Sequence, residues 1–396
     1  MRNEENMVSF DVEFFRTCNK QITCKFCILQ NKLVDHIDMD LYSKKRRNLL
    51  DILKKDIKSA VENNDKINHV NIHFSGGDFA NVEDMVQYTV FLKELIEYCK
   101  GLHLELESYL TTNLLYIDKD SKEWEYEDMD EMRTISNIFT MTTHVNTSYS
   151  PEGRFNTAVE VVVWITNLLS YNYLRSLYKK EPINVIIPLT KAVVKYNHNN
   201  KVRGMLKRLY KKNLGDNIFG YTILDGNGKS YLELKIHNDV LDLIKSIINK
   251  GIYSFLREQN IPYTFVPFMQ YITYMHKDDF GIVYTKEFTD NKEYYKKDRY
   301  YKDIESFLLK HAVKQSRNTK ELFNSHQFFS CMYNGNIKCY TLDGEVVKCL
   351  IDQNCTKELG HGPLCCNLIA DTEHLTRKIT QIENNIREEI AKNEER

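Results

Sequence analysis

The stretch MVSFDVEFFRTCNKQITCKFCIL, Met7 to Leu29, opens with apolar and aromatic residues and closes with three cysteines in ten positions. MVSFDVEFF reads as a β-strand by that content, and it runs directly into the thiol-rich loop. Outward from it the chain switches repeatedly between strand and helix. DLYSKKRRNLLDILKKDIKSAVE carries apolar residues at helical spacing. INHVNIHFS (67–75) is a strand and VEDMVQYTVFLKELIEYC a helix. The pairs continue with HLELESYL and SKEWEYEDMDEMR, NIFTMTTHV and TAVEVVVWITNLLSYNYLRSL, then INVIIPLT and KVRGMLKRLYKKN. A sixth strand, NIFGYTIL (217–224), precedes a long helical stretch from Leu232 to Gln259.

Strand–helix units in series predict an α/β fold with a parallel sheet, closed in part into a (β/α)6 TIM-like barrel. Parallel barrels place their chemistry at the C-terminal ends of the strands. The cysteine loop follows the first strand, and the sequence Ser75-Gly76-Gly77-Asp78 follows the second, so both are expected on one rim.

Composition narrows the alternatives. With 54 basic against 55 acidic side chains in 396 residues, the net charge of −1 gives no pull toward nucleic acid or an anionic membrane. Six prolines and fifteen glycines argue against disorder. No run approaches the ~18 apolar residues that span a bilayer, and MRNEENMVSFD lacks a signal-peptide core. The expected location is the cytoplasm. In that reducing compartment ten cysteines are not a disulfide framework, and clustered cysteines point to metal.

Zinc ordinarily takes four ligands, whereas Cys18, Cys24 and Cys27 offer three, with no histidine in the loop. A [4Fe–4S] cube held by three thiolates keeps one iron without a protein ligand, open to a substrate or cofactor. Gly76 and Gly77 permit a sharp turn and close backbone approach, and Asp78 supplies an acceptor.

The three-cysteine loop after strand one, the aromatic Phe26 before its last cysteine, and the Gly-Gly-acid turn after strand two resemble the radical S-adenosylmethionine superfamily. The resemblance spans residues 7–230. It implies that the open iron chelates the methionine half of S-adenosylmethionine. Reduction of the cluster then splits the cofactor to a 5′-deoxyadenosyl radical, which abstracts a substrate hydrogen. It further implies cofactor contacts at Phe26, Ser75, Gly76, Gly77, Asp78, Thr112, Asn113 and Asn146. His144 and Ser148 are further polar groups expected at the rim. An electron donor such as ferredoxin or flavodoxin is implied as partner. The spacing here, Cys-x5-Cys-x2-Cys, is two residues longer than the family's usual Cys-x3-Cys-x2-Cys. A loop absorbs two residues at small entropic cost.

A second cluster, Cys331-x12-Gly344-x4-Cys349, resembles the opening of the SPASM and twitch extensions, which hold auxiliary iron–sulfur clusters. Only Cys355, Cys365 and Cys366 follow, a count that suits one auxiliary [4Fe–4S] cluster. IKCYTLDGEVVKC reads as a hairpin with a two-residue Asp-Gly turn. That register pairs Leu342 with Glu345 and sends Cys339 and Cys349 to opposite faces. The expected ligands are then Cys331, Cys349, Cys355 and one of Cys365 or Cys366, with Cys339 as a packed residue. Four thiolates satisfy zinc equally. Cys99, inside a helical pattern, reads as a small buried hydrophobe.

The expected organisation is therefore a barrel over 1–230, a connecting, substrate-facing segment over 231–325, a small cysteine-rich lobe over 326–370, and an amphipathic helix over 371–396. Leu375, Ile379, Ile382 and Ile386 mark the apolar stripe of that helix. Enzymes with such extensions commonly modify ribosomally made peptides or proteins by crosslinking, epimerisation or oxidation. With Cys18 so near the start, no leader-binding domain is expected before the barrel, and a peptide would be gripped by the rim or the connecting segment. A small-molecule dehydrogenase or carbon-skeleton enzyme is the second expectation, and a non-catalytic iron–sulfur sensor or scaffold the third. No residue is selected as general base or hydrogen-atom donor.

Overall fold

The computed structural model describes residues 6–18, 38–79, 82–115, 129–149, 155, 158–189, 193–194, 199–211, 236–267, 275–278, 281–284, 298–312, 337–347 and most of 381–392. Six strands lie side by side in chain order, each parallel to the next. They are β1 (Met7–Phe15), β2 (His69–Gly76), β3 (Glu105–Thr111), β4 (His144–Ser148), β5 (Asn184–Leu189) and β6 (Tyr263–Pro267). Helices α1 (Met39–Asn63), α2 (Val82–Gly101), α3 (Met129–Met141) and α4 (Ala158–Leu177) connect them, and each packs on its successor. Neighbouring parallel strands joined by crossovers of one hand put their helices on one face.

That arrangement explains an unusual pattern. A parallel sheet covered on both sides reads as continuous apolar runs, yet β1 and β2 alternate. Phe10, Val12, Phe14, Val70, Ile72 and Phe74 are buried toward the helices. There the Phe14 ring meets Phe74, Tyr88 and Phe91 edge-on, with centroids 5.0–5.6 Å apart. Asp11, Glu13, His73, Tyr109, Asn146 and Asn184 alternate with these residues and occupy the face opposite helices α1–α4.

Buried cations fasten the helix layer. The side-chain oxygen of Asp38 caps α1 by accepting from the Leu41 amide at 3.0 Å. Arg46, on α1, donates to Asp84 of α2 at 2.5 Å and to the Phe14 carbonyl at 3.2 Å, and its guanidinium lies 4.2 Å from the Phe14 ring centroid. Arg175 of α4 is fully buried and donates to the carbonyls of Phe139, Thr142, Thr143 and Glu181. Burial lowers its pKa to about 10, with Glu181 opposing.

The Arg175 contacts also show why one expected strand is misplaced. NIFTMTTHV is rich in β-formers, but its first five residues, Asn137 to Met141, finish α3. Ile135, Ile138 and Phe139 are buried at helical spacing, and Arg175 takes up the carbonyls where the helix ends. Strand β4 therefore starts at His144. The neighbour of β5 is Tyr263–Pro267, in the segment expected to be connecting, whereas 217–224 lies outside the described residues. The long helix expected over Leu232–Gln259 is two helices, Ile236–Lys250 and Ile252–Glu258. They are separated at Gly251, whose φ of +85° suits only glycine.

The sheet continues past β1. Strand β9 (Ile337–Tyr340) runs parallel to β1, with Cys339 beside Asp11, and β10 (Val346–Val347) pairs antiparallel to β9. A separate antiparallel pair, β7 (Met275–Asp278) and β8 (Gly281–Tyr284), precedes them in the chain. The β9–β10 pairing sets Val346 opposite Tyr340 and Val347 opposite Cys339. The loop is thus three residues, Leu342-Asp343-Gly344, instead of the expected Asp-Gly pair. Gly344 at φ +83° donates to the Thr341 carbonyl, and Thr341 donates to that of Glu345. This one-residue change of register removes the opposite-face argument for Cys339 and Cys349.

The hairpin is tied to the sheet and to α1. Asp343 pairs with Arg16 at 2.8 Å and Lys45 at 2.6 Å. Asp56 accepts from Lys338 and from the Tyr340 hydroxyl. In the C-terminal segment Ile382 and Ile386 are buried, as their spacing implies; Leu375 and Ile379 lie outside the described residues. Among the described residues no helix is long and apolar enough to cross a membrane.

Candidate functional site

Strands β1, β2 and β3 end together, and their C-terminal loops are stapled to one another. The Gly77 amide donates to the Phe15 carbonyl at 2.7 Å, and the Asp78 amide to the Thr17 carbonyl at 2.7 Å. Gly76 has φ +112°, and a Cβ there would fall 2.1 Å from the Phe15 oxygen. The close approach that demands glycine is therefore to the neighbouring strand. Ser75 also looks across to β1, donating to the Val12 carbonyl at 3.2 Å.

Asp78 organises the third loop. Its carboxylate, 4 % exposed, accepts from its neighbour's amide at Phe79 (2.9 Å), from the Thr112 hydroxyl (3.0 Å) and from the Asn113 amide (2.6 Å). Three donors on one buried carboxylate fix the path of residues 112–113. The Asn113 side chain, 5 % exposed, accepts from the Leu115 amide at 2.7 Å through Oδ1. Through Nδ2 it donates to Cys18 Sγ at 3.5 Å. Leu114 is held at φ +55°, a left-handed conformation that costs a bulky residue on the order of 1–2 kcal/mol. Asn167 of α4 donates to its carbonyl at 2.7 Å, a contact that sequence reading did not find.

The structure thus gathers Cys18, Gly76, Gly77, Asp78, Thr112 and Asn113 into one hydrogen-bonded group. Asn146 joins through its backbone, its carbonyl accepting from the Thr112 amide at 3.0 Å. Its side chain belongs to a ladder across three strands: Asn184 donates to Asn146 Oδ1 at 3.2 Å, and Thr264 to Asn184 Oδ1 at 3.1 Å. Around this rim the buried Thr17, Ser148 and Tyr149 hydroxyls have no hydrogen-bond partner among the described residues.

Cys24, Cys27 and Phe26 lie outside the described residues, as do Cys331, Cys349, Cys355, Cys365 and Cys366. Among the described residues no group of three His, Cys, Asp or Glu side chains is placed to hold a metal. Cys339 is buried at 1 % exposure within the β1–β9 pairing, and Cys99 is buried in α2, where burial pushes its thiol up to about 12.

A second polar group lies farther down the face opposite α1–α4. Cys339, Asp11, His73, Tyr109 and His144 occupy one level across β9, β1, β2, β3 and β4. Asp11 Oδ2 is 3.2 Å from His73 Nδ1, while Asp11 Oδ1 is buried without a hydrogen-bond partner among the described residues. Burial favours the neutral imidazole of His73, but the Asp11 carboxylate outweighs it and raises the pKa. Tyr109 donates to Glu107 at 3.1 Å and stacks on His144, centroids 4.5 Å apart. His144 thus sits at the start of β4, away from the expected rim position, with Nδ1 3.2 Å from Glu181. Alternation along β1 and β2 could have revealed this level.

The chain matches no protein-family model and no curated protein. Among solved structures it is similar to a histidine-tagged "anSMEcpe with bound AdoMet", at 14 % identity over 87 % of this chain and 74 % of that one, with a TM-score of 0.39.

Proposed function

We propose that this chain is a radical S-adenosylmethionine enzyme, its sheet curling as a partial (β/α)6 barrel. The reading rests on one observation: Cys18, the Gly76-Gly77 turn, Asp78, Thr112 and Asn113 meet at the C-terminal ends of three adjacent parallel strands. The donor set suits an iron–sulfur cluster, since ligating sulfurs of such groups ordinarily accept hydrogen bonds from nearby amides. Cys18, Cys24 and Cys27 would hold it. When bound, it supplies a single electron and an open coordination position to S-adenosylmethionine.

The chain's own residues do the positioning. The Gly76 turn brings the loops after β1 and β2 into contact. Asp78 orders the loop after β3, and Asn113 carries that order to Cys18. Phe26, Ser75 and Asn146 would be further contacts to the cofactor, as the resemblance implies. The Thr17 and Ser148 hydroxyls, which have no hydrogen-bond partner among the described residues, are further groups able to meet a polar ligand there. An auxiliary cluster would draw Cys331 from the chain before β9, and Cys349, Cys355 and one of Cys365 or Cys366 from the chain after β10.

A ribosomally made peptide or protein is the proposed substrate, on the likeness of the Cys331–Gly344–Cys349 spacing to peptide-modifying members. The level of Asp11, His73 and Tyr109 favours a second reading, a small polar metabolite, because it offers proton-handling groups below the rim. The test is anaerobic incubation of the reduced protein with S-adenosylmethionine. Release of 5′-deoxyadenosine, lost in Cys24→Ala, is expected; intact S-adenosylmethionine with a fully loaded protein overturns the reading. Mass spectrometry of a co-expressed candidate peptide, with deuterated water to reveal epimerisation, separates the two substrates.

A further inference from the structure

We propose that Asn113 is a positioning residue that sets the reduction potential of the cluster held by Cys18, by donating an N–H···S hydrogen bond to its thiolate. The inference rests on the reading of Cys18, Cys24 and Cys27 as cluster ligands, and gives Asn113 a role different from contacting S-adenosylmethionine.

The direction of the Asn113 amide is fixed by chemistry. Leu115 N–H donates to one end of it at 2.7 Å, so that end is the carbonyl oxygen; a flipped amide would set two donors against each other. The NH2 group is therefore the end that lies 3.5 Å from Cys18 Sγ. The residue is also pinned from behind. Its backbone N–H is held at 2.6 Å by Asp78, which is anchored to the β1 loop through its own amide and Thr17. On the far side, Asn167 holds the carbonyl of the left-handed Leu114. Cys18 and Asn113 are thus tied through the backbone as well as through the N–H···S contact.

A donor to a ligating sulfur withdraws charge and stabilises the electron-rich reduced cluster more than the oxidised one, which raises the potential. Asn113 is 5 % exposed and Cys18 half-buried, so water competes only in part for the sulfur and the bond is stronger than it would be in open solvent. The cluster becomes easier to reduce, and the proposed reaction begins with that electron.

The test is a mediated redox titration of the anaerobically reconstituted full-length protein. It follows, by electron paramagnetic resonance, the cluster whose signal changes when S-adenosylmethionine is added. Asn113→Asp keeps an acceptor for Leu115 but turns the donor into a carboxylate oxygen; Asn113→Leu removes the donor without adding charge. Both are expected to lower the reduced-to-oxidised ratio at a fixed poise about tenfold, which for a one-electron couple is about 59 mV. If Asn113→Asp does not retain the cluster, Asn113→Leu decides. An unchanged potential, or loss of the cluster in both variants, overturns the inference alone. A wild-type protein with no S-adenosylmethionine-responsive cluster overturns the functional reading and this inference with it.

Discussion

The carbonyl oxygen of Phe15 occupies the space in which a side chain on Gly76 would begin, 2.1 Å from the position of a Cβ. Strands β1 and β2 approach here because the register shifts between Glu13 and Phe15, which brings Phe15 opposite Gly76. The Gly77 and Asp78 amides then bond back to the β1 loop.

Gly76→Ala is expected to be strongly destabilising. The left-handed backbone alone costs about 1–3 kcal/mol, and the obstructing atom is main chain. Gly344→Ala is the informative comparison. Its φ is also positive, but the new Cβ meets Ile52 Cδ1, the far end of a side chain that can rotate. Urea midpoints should fall farther for Gly76→Ala; equal losses would refute this account of the rim.

The Asp11–His73 pair makes a pH-dependent contribution. The His73 pKa is raised in the folded protein, so the stabilisation is fully present below the unfolded imidazole pKa of about 6.5 and is lost as pH rises through the folded value. In Asp11→Asn burial is no longer opposed, and the His73 titration followed by NMR should move down. The stability gap between wild type and variant should be widest in acid and narrow above neutrality.

Arg175 joins the end of α3 to the segment after α4 through four carbonyls. Arg175→Met removes every one of those donors and leaves the carbonyls buried, at a cost on the order of 3 kcal/mol. Lysine, with a single ammonium, is expected to recover less than half of that loss in thermal unfolding.

Cys339 is buried beside Asp11 in the pairing of β9 with β1. Cys339→Ala is expected to retain the full iron content of the reconstituted protein and to lose about 1 kcal/mol from the smaller side chain. Loss of iron would place this sulfur among the ligands.

The strands that carry the rim were legible because each has a local signature. MVSFDVEFF and HVNIHFS have apolar side chains at alternate positions, and the glycines of Ser75–Asp78 mark the turn. What stayed hidden was set by distant partners. Nothing in NIFTMTTHV reveals that a buried arginine 36 residues beyond Phe139 will collect its carbonyls. Apolar runs at 217–224 and 263–267 compete equally for the place beside β5 until the sheet edge chooses. The contact between Asn113 and Cys18 spans 95 residues, and the Asp11–His73 pair exists only once two strands are in register.

The pairing of β1 with β9 has a consequence for biosynthesis. Arg16, just past the first strand, meets Asp343 across 327 residues of chain. On the ribosome, β1 must wait with this edge unflanked until residues 337–340 have been made. Such an open border invites mispairing with other nascent chains, and a late, long-range closure is slow. A polypeptide truncated before residue 337 should collect in inclusion bodies even though its six consecutive strands are intact.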